Sequence, residues 1–124
     1  MEGKDLGKTS TGMQANLAAL LTYALGFITG IVFYIIEKKN KFVRFHAMQS
    51  IIVFGGFAII AFILSVIIRL LAMIKFYFFI PLFSLIGTAL WLAALIIWII
   101  LMLKAYNGEK FKLPVIGDIA EKNS

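Results

Sequence analysis

His46, Gln49 and Ser50 are the residues whose types and spacing could do chemistry within an otherwise apolar stretch of this sequence. An imidazole can move a proton or ligate a metal. A carboxamide and a hydroxyl can each donate and accept a hydrogen bond. On a helix beginning near Phe42, His46, Gln49, Val53 and Gly56 fall on one face at alternating spacings of three and four. This polar stripe ends at Gly56, where a second helix could approach closely. Ionisable groups inside a membrane normally face a bundle interior or a watery cavity. The stripe therefore suits either a hydrogen bond between helices or a polar site for an ion, a ligand or a partner segment. No metal centre is expected, because one His and no Cys fall short of the usual zinc set. No nucleophile–base–acid constellation is visible, so no catalytic residue, cofactor or enzymatic activity is expected. The fragment GKDLGKT (3–9) is one residue short of phosphate-loop spacing and follows no strand, so it reads as part of a flexible N-terminal tail, 1–16.

The elements that must position this stripe follow from composition. The chain has 124 residues, of which 62% are hydrophobic and only 15% charged, with a mean hydropathy of +1.00. A soluble domain of this size has too much surface to hide that apolar area, so the excess must face lipid. Three apolar runs stand out: Leu17–Ile36, Ala47–Ile68 and Phe76–Leu103. Each is long enough, at about 1.5 Å per residue, for the roughly 30 Å hydrocarbon core. Pro81 lacks an N–H and clashes with the preceding turn, so a kink or a helix start is expected there. Phe76–Ile80 then becomes an aromatic lead-in. The expected fold is all-α: an integral membrane bundle with three transmembrane helices at 17–36, 47–68 and 81–103, forming one domain over 17–103. Within it, Trp91 reads as a mid-span packing residue and Trp98 as closer to the interface.

Ala18, Thr22, Gly26 and Gly30 recur at every fourth position and include a GxxxG, a pattern that lets backbones approach closely. With Gly56 they are the expected helix-packing positions, either within the chain or between copies. After the third run, Asn107-Gly108 reads as a helix stop. The tail 104–124 then alternates Phe111, Leu113, Val115, Ile116 and Ile119 with charges, and is expected to be amphipathic and interfacial.

Net charge is +6. The basic residues cluster beside apolar runs, which points to anionic lipid headgroups rather than nucleic acid. With three spans, Lys4, Lys8, Arg69 and Lys75 share one side. Lys38, Lys39, Lys41, Arg44, Lys104, Lys110, Lys112 and Lys122 share the other. The positive-inside bias then places 37–46 and the C-tail in the cytoplasm and the N-terminus outside. Lys38, Lys39, Lys41 and Arg44 are expected at the cytoplasmic interface, on lipid phosphates or on acids of the tail.

The segments NLAALLTYALGFITGIVFYIIEKKNKFVRFHAMQS (16–50) and LMLKAYNGEKFKLPVIGDIAEK (101–122) resemble a widespread family of small prokaryotic membrane proteins of unknown function. That family is described as similar to the twenty-kilodalton component of the chloroplast inner-envelope protein translocon, and it includes the F-type proteins of bacterial magnetosome membranes. The resemblance implies a small α-helical integral membrane protein without known enzymatic chemistry. The expected function is a structural or interaction component of the cell membrane that assists membrane-protein assembly or translocation, as a homo-oligomer or with another membrane protein. The alternative is a small oligomeric transporter or channel with a polar pathway at His46, Gln49 and Ser50.

Overall fold

The computed structural model describes residues 6–124, and among them the secondary structure is helical throughout. Two helices are long and apolar enough to cross a membrane: α3 (Lys41–Met73) and α4 (Ile80–Tyr106). At 33 and 27 residues they run for about 50 Å and 40 Å. The expected spans 47–68 and 81–103 lie inside them. Asn40 starts α3, its side-chain oxygen accepting from the Val43 N–H at 3.0 Å, which satisfies one of the free donors of the first turn. Pro81 sits in the first turn of α4, where its missing N–H costs nothing. The helix stop expected at Asn107-Gly108 is present. Gly108 takes φ 78°, and the Gly108 and Glu109 N–H groups return to Ala105 and Lys104 at 3.1 Å and 3.0 Å, the pairing of a Schellman motif.

The first apolar run departs from expectation. Leu17–Ile36 is not one helix. It is divided into α1 (Ala15–Ala24) and α2 (Phe27–Ile36) by Leu25 and Gly26. Gly26 adopts φ 64°, ψ −137°, a region essentially reserved for glycine. The periodic small residues therefore do not form one continuous stripe. Ala18 and Thr22 belong to α1, Gly26 makes the break, and Gly30 belongs to α2.

The two short helices double back. The Ser10 N–H, before α1, donates to both carboxylate oxygens of Glu37, just after α2, at 3.0 Å and 2.8 Å. The Asn40 carboxamide donates to the carbonyls of Leu6 and Lys8 at 2.7 Å and 3.2 Å. The start of α1 and the end of α2 thus meet at one end of the bundle. Each helix is about 15 Å long, half the usual hydrocarbon thickness. Lys8 and Lys39, expected on opposite sides of a membrane, lie at the same end. Residues 9–14 are also held in place, so the part of the expected flexible tail that is described is anchored. Residues 1–5, with Lys4, lie outside the described residues.

Against the inner halves of α3 and α4, the hairpin packs a core of Ala19, Tyr23, Val53, Phe54, Leu101 and Ala105. A second cluster joins Ala15, Ala18, Phe33, Val43 and Ala47. The chain closes with α5 (Ile116–Lys122), which lies against α3. The tail does not simply rest on an interface. Phe111, Leu113 and Ile116 pack on the protein's own core, while Val115 and Ile119 stay outside.

Candidate functional site

A chain of hydrogen bonds ties the polar stripe to α1 and to the tail. His46, Gln49 and Ser50 are fully buried, as the face analysis requires. The Tyr23 hydroxyl lies 2.7 Å from His46 Nδ1. His46 Nε2 lies 3.1 Å from the Glu109 carbonyl oxygen. That carbonyl can only accept, so Nε2 carries the proton. Nδ1 then accepts from Tyr23, and Tyr23 in turn accepts from Gln49 Nε2 at 3.1 Å. Gln49 also donates to the Phe111 carbonyl at 3.0 Å, and its oxygen accepts from the Leu113 N–H at 3.1 Å. Every donor faces an acceptor when the imidazole is neutral. The rings of Tyr23, Phe42 and Phe45 meet His46 edge-on and exclude water. Tyr23 was not singled out by sequence reasoning. The available signal was a phenol in the middle of an apolar run, which needs a partner when buried.

Ser50 does something different. Its hydroxyl donates to the Gly26 carbonyl at 2.9 Å. Trp98 Nε1 donates to the Tyr23 carbonyl at 2.6 Å, and Thr29 Oγ1 donates to the Thr22 carbonyl at 3.1 Å. These three side chains reinforce the carbonyls around the break; those of Tyr23 and Gly26 also accept from the Gly26 and Gly30 N–H groups, at 2.9 Å and 3.4 Å. Broken backbone at membrane depth is tolerated only when such groups find partners inside the protein. Trp98 thus caps this break.

The packing positions divide. A Cβ placed on Gly30 would lie 2.9 Å from the Ala47 carbonyl oxygen and 3.0 Å from Ser50 Cβ, and one on Gly26 would touch Phe54. Ala18 and Thr22 are fully buried, although the Thr22 hydroxyl turns to its own helix at the Ala19 carbonyl, 2.6 Å away. Gly56 does not mark a close approach, since a Cβ there meets nothing within 4 Å.

The basic stretch also divides. The Lys38, Lys39 and Lys41 side chains are exposed, as expected. Within the protein, Arg44 bonds to backbone oxygens and not to the side-chain acids of the tail. Its guanidinium donates to the carbonyls of Tyr34 and Glu37 at 2.9 Å and 2.6 Å and to the Ser124 backbone oxygen at 2.9 Å. It also covers the Tyr34 ring at 4.2 Å. A planar fork serves three divergent acceptors where a single ammonium could not.

Glu37, just after α2, is the anchor of this region. It has no exposed surface, and its carboxylate also accepts from the Lys39 and Asn40 N–H groups, each at 3.1 Å. Burial alone would raise its pKa, but the hydrogen bonds from Ser10, Asn40 and Lys39 outweigh burial and hold the carboxyl below its usual value. The signal in the sequence was its isolation, since no other acid occurs between residues 6 and 108. On the tail, Glu121 sits between Lys110 at 2.7 Å and Lys112 at 2.6 Å. Hydrogen bonds from Lys110 and then Lys112 hold its carboxyl at about 2. Among the described residues no three His, Cys, Asp or Glu side chains gather as a metal-binding group.

Comparison with known proteins places this architecture in a lineage. Residues 8–120 match the model of the MamF/MmsF family, described as the magnetosome magnetite crystal formation protein family. A UPF0132 membrane protein of Methanocaldococcus jannaschii is 51% identical over 119 residues, 96% of each chain. One from Archaeoglobus fulgidus is 46% identical over 110 residues, 89% of this chain and 95% of its own. A second from M. jannaschii is 40% identical over 112 residues, 90% of this chain and 71% of its own. No solved structure matches. The relatives are membrane proteins by name, and two helices of this chain have the length and apolarity of spans. With its match running from residue 8 to residue 120, the chain belongs to the MamF/MmsF family of prokaryotic membrane proteins.

Proposed function

We propose that this protein is a non-catalytic structural and interaction component of the cell membrane. In this reading α3 and α4 cross the bilayer, and α1 and α2 form a re-entrant hairpin. The rest of the cation distribution supports one orientation. Among the described residues, Lys8, Lys38, Lys39, Lys41, Arg44, Lys104, Lys110, Lys112 and Lys122 lie at the hairpin end, and Arg69 and Lys75 lie at the other. The positive-inside bias puts the hairpin end in the cytoplasm with both tails, where its exposed lysines meet anionic headgroups. Cysteines replacing Lys8, Lys39 and Lys75 test this. The first two should label from the cytoplasmic side and the third from outside. Labelling of Lys8→Cys and Lys39→Cys from opposite sides would restore a three-span topology.

The observation that carries the structural role is the closed polar stripe. His46, Gln49 and Ser50 are each used internally, and no buried side-chain N or O among the described residues lacks a partner. A conducting path needs groups free to exchange partners with the permeant ion; these hold the tail and the hairpin in place. The outer flanks of α3 and α4 remain apolar and open to a second copy or another membrane protein, a role consistent with assistance in assembly or translocation. Proteoliposomes loaded with pH- and potassium-sensitive dyes provide the test. No flux above empty vesicles is expected from the wild type or from His46→Ala. Flux in the wild type that His46→Ala abolishes would replace this reading with a channel or transporter.

A further inference from the structure

The end of the bundle away from the tails carries Arg69 and Lys75, and the sequence has no Asp or Glu anywhere between residues 41 and 104. Neither cation has a salt-bridge partner within the described residues. Arg69 also lines a groove of about 460 Å³ between the outer halves of α3 and α4. Ala61 and Ser65 form one wall, Ser84 and Gly87 the other, and Trp91 lies at the inner end. On α3 the groove runs from Arg69 to Ala61, about 12 Å, close to the roughly 15 Å of one leaflet's hydrocarbon. It is open sideways, to the lipid.

We propose that this groove binds an anionic phospholipid of the leaflet opposite the tails, with its phosphate on Arg69 and one acyl chain along the small-residue walls toward Trp91. Charge selects this occupant. A second copy related by an axis along the membrane normal would bring its own Arg69 to the same depth, with no acid among the described residues at that end to offset the repulsion. A phosphate supplies the missing counter-charge and can accept two parallel N–H bonds from a guanidinium. The small side chains at 65, 84 and 87 leave the width that an acyl chain fills.

Trp91 and Trp98, the two tryptophans of the chain, report occupancy. The full-length protein is reconstituted in phosphatidylcholine vesicles that contain a minor fraction of brominated phosphatidylglycerol or, at equal fraction, brominated phosphatidylcholine. Brominated phosphatidylglycerol should quench more strongly, with an apparent preference of about fivefold, the value expected for one cation at the surface. Arg69→Gln should remove the preference and Arg69→Lys should keep most of it. A Cβ on Gly87 meets nothing within 4 Å, so Gly87→Leu extends a side chain into the groove and should lower the quenching by phosphatidylglycerol in an intact bundle. Equal quenching by the two lipids in the wild type overturns the proposal. So does a preference unchanged in both Arg69→Gln and Gly87→Leu. Disulfide formation between copies of a Thr88→Cys variant in membranes would also overturn it, by placing a second copy in the groove.

Discussion

Gly30→Ala should lower the unfolding free energy by about 1–3 kcal/mol, and Gly30→Leu should prevent the bundle from assembling. Gly56→Ala should leave stability unchanged or slightly improve it. The contrast rests on space, because both glycines lie within helices. The Cβ that alanine adds at position 30 would stand 2.9 Å from the Ala47 carbonyl oxygen, a main-chain atom of α3, and 3.0 Å from Ser50 Cβ. Neither can swing aside like the end of a flexible side chain. Relief requires α2 to move off α3, which would also stretch the Ser50 bond to the Gly26 carbonyl. At position 56 a Cβ meets nothing within 4 Å, and alanine favours a helix over glycine by up to about 1 kcal/mol. Thermal unfolding of the three variants in one detergent decides the matter. If Gly30→Ala melts with the wild type, α2 does not sit against α3 as described.

The second large effect is expected at Glu37. Glu37→Gln should cost about 2–3 kcal/mol and Glu37→Ala more, since hydrogen bonds to a charged group are worth about 1.5–3 kcal/mol each. The carboxylate accepts from Ser10, Lys39 and Asn40 with both oxygens. A carboxamide keeps one acceptor and turns an NH₂ toward main-chain donors. The wild type should also be acid-sensitive in a defined direction. Its carboxyl is held below the ordinary value of 4.5 in the folded state, so the folded protein binds the proton less readily than the unfolded chain. The stabilisation is complete above about pH 4.5 and is lost as pH falls through the depressed value. Melting temperatures from about pH 7 down to about pH 3 should fall for the wild type and change less for Glu37→Gln. A glutamine variant as stable as the wild type at neutral pH would show that the carboxylate does not anchor the N-terminal segment.

Much of this molecule could be read in its sequence. Hydropathy and Pro81 located the two long helices, because a lipid-facing helix must be apolar around most of its circumference. The spacing of His46 and Gln49 correctly turned them inward, away from Arg44. What escaped was set by backbone conformation and by distant partners. A hydropathy window passes through Leu25–Gly26 without a dip, since φ 64° at one residue changes no side chain. The break is reinforced by Ser50, Thr29 and Trp98, and nothing local to Trp98 announces that it will meet Tyr23. The backbone contacts of the Arg44 fork escaped for a similar reason. Its acceptors at Tyr34 and Ser124 are main-chain atoms, and every residue type carries those.

The cap on the break also bears on the order in which the molecule is made. The Tyr23 carbonyl receives its indole donor from 75 residues later in the chain, and the Asn16 side chain closes on the Tyr106 carbonyl across 90. In the proposed re-entrant topology, only Thr29 of the three donors at the turn has been synthesised when α1 and α2 leave the ribosome; Ser50 and Trp98 are still to come. In that topology the hairpin waits near the headgroups, where water can serve its backbone, until α3 and α4 are in place. Its descent to final depth is therefore a late step of biogenesis, governed by contacts of long sequence separation, and the first helices synthesised are among the last to be seated.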